Sequence, residues 1–123
     1  MIATLLTAFN ARDAEGWLSN VTDDFEMHSR FSSVGDTVFH GRTGFEAWWK
    51  DLDEAWDPIL VNLEEAADAE PERTVLLLRL YGRGRGSGLA LEEEVAHIWH
   101  WRGPKLAKLD YTDRAEAEAL VRG

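Results

Sequence analysis

The chain has 123 residues, of which 45% are hydrophobic and 29% charged. That fits one soluble globular domain, residues 1–123, with a single sizeable core. A net charge of −10 argues against a nucleic-acid partner, because neutralising phosphates needs a basic face. There is no cysteine, hence no disulfide or thiolate site, and no apolar run near the roughly 20 residues that span a bilayer.

The start lacks a basic region and a cleavage pattern, so no signal peptide is read and a cytoplasmic protein is expected. Residues 2–12 read as a helix with Ile2, Leu5, Leu6 and Phe9 on one stripe. Asp13 is placed to cap a second, short helix that carries Trp17. Phe25 to Phe31 alternates as a strand, with Phe25, Met27, Ser29 and Phe31 on one side and His28 and Arg30 on the other. Ser32–Asp36 reads as a loop, and Val38-Phe39 as a short extended piece.

Thr43 to Glu46 has the spacing of a capping box and opens a helix whose face carries Phe45, Trp48, Trp49, Leu52 and Trp56. Pro58 ends it. A partly alternating strand covers residues 58–69, and Glu70–Arg73 reads as a hairpin turn. Thr74 to Tyr81 is nearly continuous in apolar residues, the pattern of a central strand buried on both faces. The glycine- and arginine-rich stretch 82–88 lacks the ending of a phosphate-binding loop and reads as a flexible hairpin.

Residues 89–101 form the longest strand. One face carries Leu89, Leu91, Glu93, Val95, His97, Trp99 and Trp101; the other carries Ala90, Glu92, Glu94, Ala96, Ile98 and His100. Residues 106–112 make the last strand, and Asp113 caps a closing helix over 114–121. Strands bunched after helices indicate an α+β fold with an antiparallel sheet curled round the helices.

Three stretches together carry a family resemblance. Ala8 to Asp13 with Trp17 opens the chain. Phe39 to Phe45 opens the aromatic helix. Gly84 to Gly88 leads to the long strand, then to Gly103 to Leu106 and Tyr111 to Ala117. In this order the chain resembles the SnoaL-like branch of the nuclear transport factor 2-like superfamily. The resemblance implies a cone-shaped α+β barrel whose strongly curved sheet wraps the N-terminal helices and leaves an internal pocket. It also implies a homodimer paired through the convex sheet face. The superfamily holds isomerases, polyketide cyclases, epoxide hydrolases, dehydratases and non-catalytic binders, so fold alone does not fix function.

Carried over residue by residue, the ketosteroid isomerase groups fall on Leu5 (the tyrosine), Ser29 (the base) and Val95 or Ala96 (the oxyanion-hole acid). None has the required chemistry, so steroid isomerisation is not expected. An epoxide hydrolase's Asp-Arg-Asp set cannot be assembled on inward positions.

The leading expectation is a hydrophobic pocket for a small apolar molecule, without cofactor and with no assigned reaction. Its lining would come from Trp17, Phe25, Met27, Trp48, Trp49, Trp56, Leu78, Tyr81, Val95 and Trp99, with Tyr81 and Tyr111 as phenol donors. The alternative is a cofactor-independent cyclase, isomerase or dehydratase. There His97 would be the acid/base, assisted by Glu93 or Tyr111. Glu93 and His97 lie roughly 13 Å apart along the strand, two levels of one wall. A metal site is not expected, because His97 and His100 face opposite sides of the strand. His28 and Arg30 read as a solvated outer face, with an anion clamp as the functional alternative. Ile98, Ala96 and Ala90 are the outer residues that motivate a paired convex face.

Overall fold

A computed structural model describes residues 2–32, 35–70 and 72–122, with side chains for all of these except 29–32, 35–37, 69 and 70. Its helices are α1 (Ile2–Asn10), α2 (Ala14–Leu18), α3 (Gly41–Ala55) and α4 (Arg114–Arg122). Its strands are β1 (Val21–Ser32), β2 (Gly35–His40), β3 (Trp56–Glu70), β4 (Arg73–Gly84), β5 (Ala90–Arg102) and β6 (Lys105–Tyr111). They form one curved sheet in the order β2-β1-β6-β5-β4-β3. Two expectations change here. The sheet is mixed, because β1 and β6 run parallel while the other neighbours are antiparallel. It is also an open cone and not a closed barrel, with β2 and β3 as its edges.

Two cores explain the curl. Leu76, Leu78 and Leu80 of β4 and Val95 and Trp99 of β5 join the residues of α1, α2 and α3 in the main core. Their alternates Val75, Leu77 and Ala96 form a second core with Ala117 of α4 on the opposite face. The apolar run of β4 is therefore buried on both sides, as its composition demands. Arg114 anchors α4 by donating to the carbonyls of Leu78 (3.2 Å) and Val95 (3.3 Å) and by pairing with Glu64 (2.9 Å). The hydrogen bond from Arg114 holds the Glu64 carboxyl below its ordinary range.

The opening motif is a set of ties. Asn10 accepts from the Val61 amide (2.8 Å) and donates to the Val61 carbonyl (2.9 Å), fastening α1 to β3. Arg12 sits in the left-handed region (φ 56°), stacks over Trp49 at 4.0 Å and pairs with Asp53 at 2.7 Å. Asp13 accepts from the Gly16 amide at 3.0 Å, capping α2. A Cβ on Gly16 would lie 2.4 Å from an Asp13 carboxylate oxygen, so the cap requires glycine there.

Other boundaries shift. The capping box at Thr43 does not form: α3 begins at Gly41, its N-cap is His40 without a side-chain cap, and Glu46 pairs with Arg42 instead. Trp56 leaves the helix face because α3 ends at Ala55, and it starts β3. Residues 82–88 are tied down: the Arg85 amide donates to Ala55, and its guanidinium contacts the Asp53 carbonyl and Asp57. A Cβ on Gly82 would lie 3.2 Å from the Trp56 ring, so glycine gives β4 room to pass beneath it. The predicted turns at Ser32–Asp36 and Glu70–Arg73 include Ser33, Val34 and Pro71, which lie outside the described residues. Among the described residues no helix is long and apolar enough to cross a membrane.

Asn10→Ala removes both ties to Val61 and leaves a part-buried amide and carbonyl unpaired. It should lower unfolding free energy by about 2 kcal/mol in urea titration, with the far-UV spectrum unchanged.

Candidate functional site

The concave side of the sheet and the three N-terminal helices enclose a small cavity of ≈ 50 Å³. Leu6 and Phe9 come from α1, Trp17 from α2, and Trp48 and Leu52 from α3. Ile59 and Val61 come from β3, Leu78 and Leu80 from β4, Val95, His97 and Trp99 from β5, and Leu109 and Tyr111 from β6. No charged side chain is among them. A larger surface groove beside α2 and α3, bordered by Arg42, Glu46, Lys50 and Asp53, is open to solvent and charged.

The aromatic lining is interlocked. Trp17 lies edge-on to Trp99 at 6.2 Å and to Phe9 at 6.4 Å, and tilts against Trp48 at 6.0 Å. Such offset and edge contacts fix the rings beyond what apolar burial alone does. Most of the cone is therefore filled. The remaining space is well below the roughly 300–1,000 Å³ of a drug-sized pocket.

His97 is the polar centre of this wall. Its Nδ1 accepts a hydrogen bond from Trp99 Nε1 at 3.3 Å, and its ring meets Tyr111 edge-on at 4.6 Å. Its Nε2 is covered and has no hydrogen-bond partner among the described residues. Burial lowers the His97 pKa from 6.5 to about 3, because the imidazolium would lose hydration with no carboxylate lining the cavity among the described residues. His97 is thus a neutral imidazole at pH 7. An acid/base with a pKa near neutrality, as the sequence suggests, does not match this environment.

Of the expected lining, Trp17, Trp48, Leu78, Val95 and Trp99 border the cavity, as do His97 and Tyr111. Phe25 and Met27 are buried in the core behind it. Trp49 is buried in the core under Arg12 and beside Phe45, away from the cavity. Trp56 is half-buried over Gly82. Tyr81 is 38% exposed and sits opposite Glu92 on the outer face. It differs from Leu78 by an odd number of residues, so the strand's alternation sends the two to opposite sides. Glu93 has the inward parity but is half-buried opposite Leu80, outside the cavity. Leu5, Val95 and Ala96, three positions that align with isomerase groups, are buried and apolar; the side chain of Ser29 lies outside the described residues.

The remaining histidines are on the outer face. His100 and His28 contact the two carboxylate oxygens of Asp110 at 3.0 and 3.4 Å, and His40 pairs with Glu26 at 3.3 Å. The outer patch expected to pair with a second copy is partly covered, since Ala96 and Ile98 lie in the α4 core. Leu6, Phe9, Leu52, Ile59, Val61, Leu80 and Leu109 also line the cavity, beyond the lining expected from the sequence. Helical stripe and strand parity are the signals that locate them.

Solved structures place this architecture in the nuclear transport factor 2-like, cystatin-like fold class. A nuclear transport factor 2-like protein of unknown function from Burkholderia pseudomallei shares 19% identity over 99% of this chain and 95% of its own, with a TM-score of 0.79. TerC, co-crystallised with polyporic acid, shares 19% identity over 99% of this chain and 95% of its own, at 0.78. A putative SnoaL-like polyketide cyclase from Jannaschia sp. CCS1 shares 18% over 98% and 87%, at 0.75. Within that class the SnoaL-like domain matches residues 2–109, and the chain belongs to this family. No curated protein matches it. Family and fold together leave the reaction unassigned.

The low pKa has a stability consequence. Between pH 6.5 and about 3 the unfolded chain binds a proton at His97 that the folded chain refuses. Stability from this residue therefore falls as pH drops through that window, by at most about 1.4 kcal/mol per pH unit. Urea titrations of wild type and His97→Gln at pH 7 and 5 should show a smaller pH dependence in the variant. The His97 ring resonances should not titrate between pH 8 and 4.5.

Proposed function

We propose that the protein binds a small, largely apolar molecule inside the cone. The observation that carries this reading is the small cavity walled by Trp17, Trp48, Trp99 and aliphatic side chains, with no charged side chain among its described lining residues. Its volume favours compact ligands; a larger one would need Leu6, Leu52 or Leu80 to change rotamer. That TerC was crystallised with polyporic acid adds support from a protein of the same fold. Loading the cavity adds stability by mass action, about 2.7 kcal/mol at a ligand concentration one hundred times Kd.

A screen of compact apolar compounds, read by melting temperature and tryptophan emission, should give hits that raise the melting point and shift the emission together. Val95→Phe, which fills the cavity, should abolish both responses while the protein stays folded. Absence of any saturable hit in wild type would overturn the reading.

A second reading is favoured by one observation, the unpaired Nε2 of His97, a residue that borders the cavity. It is a cofactor-independent enzyme of the cyclase, isomerase or dehydratase type, with His97 acting on a bound substrate. In this environment His97 would polarise a substrate oxygen as a neutral donor. Turnover in such an enzyme should persist unchanged from pH 8 to pH 5, and His97→Phe should remove it.

We also propose a cytoplasmic homodimer using the part of the convex face that α4 leaves bare, where Leu60 and Tyr81 face each other across β3 and β4, both exposed. Sedimentation showing only monomer at high concentration would reject the dimer.

A further inference from the structure

We infer that the cavity selects an uncharged molecule bearing a hydrogen-bond-accepting oxygen, a small ketone or related carbonyl compound, held by N–H donors from His97 and Trp17. This rests on the cavity being a binding site, and it adds the chemical class of the occupant.

The argument begins with hydrogen-bond roles. An indole nitrogen can only donate. Trp99 Nε1 points at His97 Nδ1, 3.3 Å away, so Nδ1 must present its lone pair. A neutral imidazole with an accepting Nδ1 carries its proton on Nε2. The covered Nε2 is therefore a donor without an acceptor among the described residues. Trp17 Nε1 is a second donor in the same condition. Both residues border the same cavity.

Buried donors left unpaired are costly, and the polar sites of native interiors are normally satisfied. An oxygen acceptor that reached these two nitrogens from the cavity would satisfy them. An ammonium would find no carboxylate in the wall, and a carboxylate would find no cation. A carbonyl oxygen has two lone pairs, carries no charge to desolvate, and can bring an apolar body that matches the surrounding indoles and aliphatic chains. Trp99 acts here as a positioning residue: it fixes which nitrogen of His97 bears the proton.

The test uses three probes of one shape: cyclopentanone, methylenecyclopentane and cyclopentylamine. Binding to wild type is followed in ¹H–¹⁵N spectra of the indole and imidazole nitrogens. His97 should be the Nε2–H tautomer. Cyclopentanone should bind about tenfold more tightly than methylenecyclopentane and shift the Trp17 Nε1–H and His97 Nε2–H resonances. Cyclopentylamine should not bind. His97→Phe should bring the ketone's affinity down to that of the hydrocarbon, and Trp99→Phe should populate the Nδ1–H tautomer. Equal affinity for ketone and hydrocarbon, or an Nδ1–H tautomer in wild type, would overturn this inference and leave the pocket itself intact. Failure of both the ketone and the hydrocarbon to bind would overturn the inference and the pocket together.

Discussion

The 95–99 segment of β5 is covered on both faces, and the rest of the structure depends on how its side chains divide. Val95, His97 and Trp99 turn toward the helices, and Ala96 and Ile98 turn toward α4. The imidazole and indole point inward, and the small side chain of Ala96 lets α4 lie close to the convex face. A one-residue slip would exchange the two sets and put indoles under α4 and alanine in the cone. Register on both sides, with β4 and with β6, holds that division in place.

That placement sets the chemistry. A half-buried imidazole among indoles and aliphatic chains gives up much of its water without gaining a counter-charge, so the neutral form wins. The indole of Trp99 then decides where the single proton sits. The site becomes an apolar chamber with directed N–H groups, suited to orienting an oxygen and poorly suited to taking up a proton at neutral pH. The carboxylates of β5, Glu93 among them, lie outside it.

Much of the fold is legible in the sequence because periodicity is a local signal. The alternation of β5, the double burial of β4 and the apolar stripe of α1 all follow from residue order. What stays hidden is nonlocal. Asn10 reads only as a polar position of the first helix until Val61, 51 positions later, meets it. The parallel pairing of β1 with β6, and the choice of α4 to cover the convex face, depend on chain closure that no local pattern encodes. Within the site, aromatic residues alone were ambiguous. Trp48 and Trp49 are neighbours, yet the first reaches the cavity and the second does not, because 100° of helical rotation separates them. Tyr81 shows the opposite case, where parity with Leu78 already excluded it from the wall.

The central claim is that the cone retains an internal space that a small apolar guest can enter. Crystals pressurised with xenon test it most directly, since xenon enters apolar cavities. The account predicts one strong xenon peak bounded by Trp17, Val95 and Trp99, with the surrounding backbone unmoved. A difference map with no peak there, and the same side chains collapsed into the space, would contradict it.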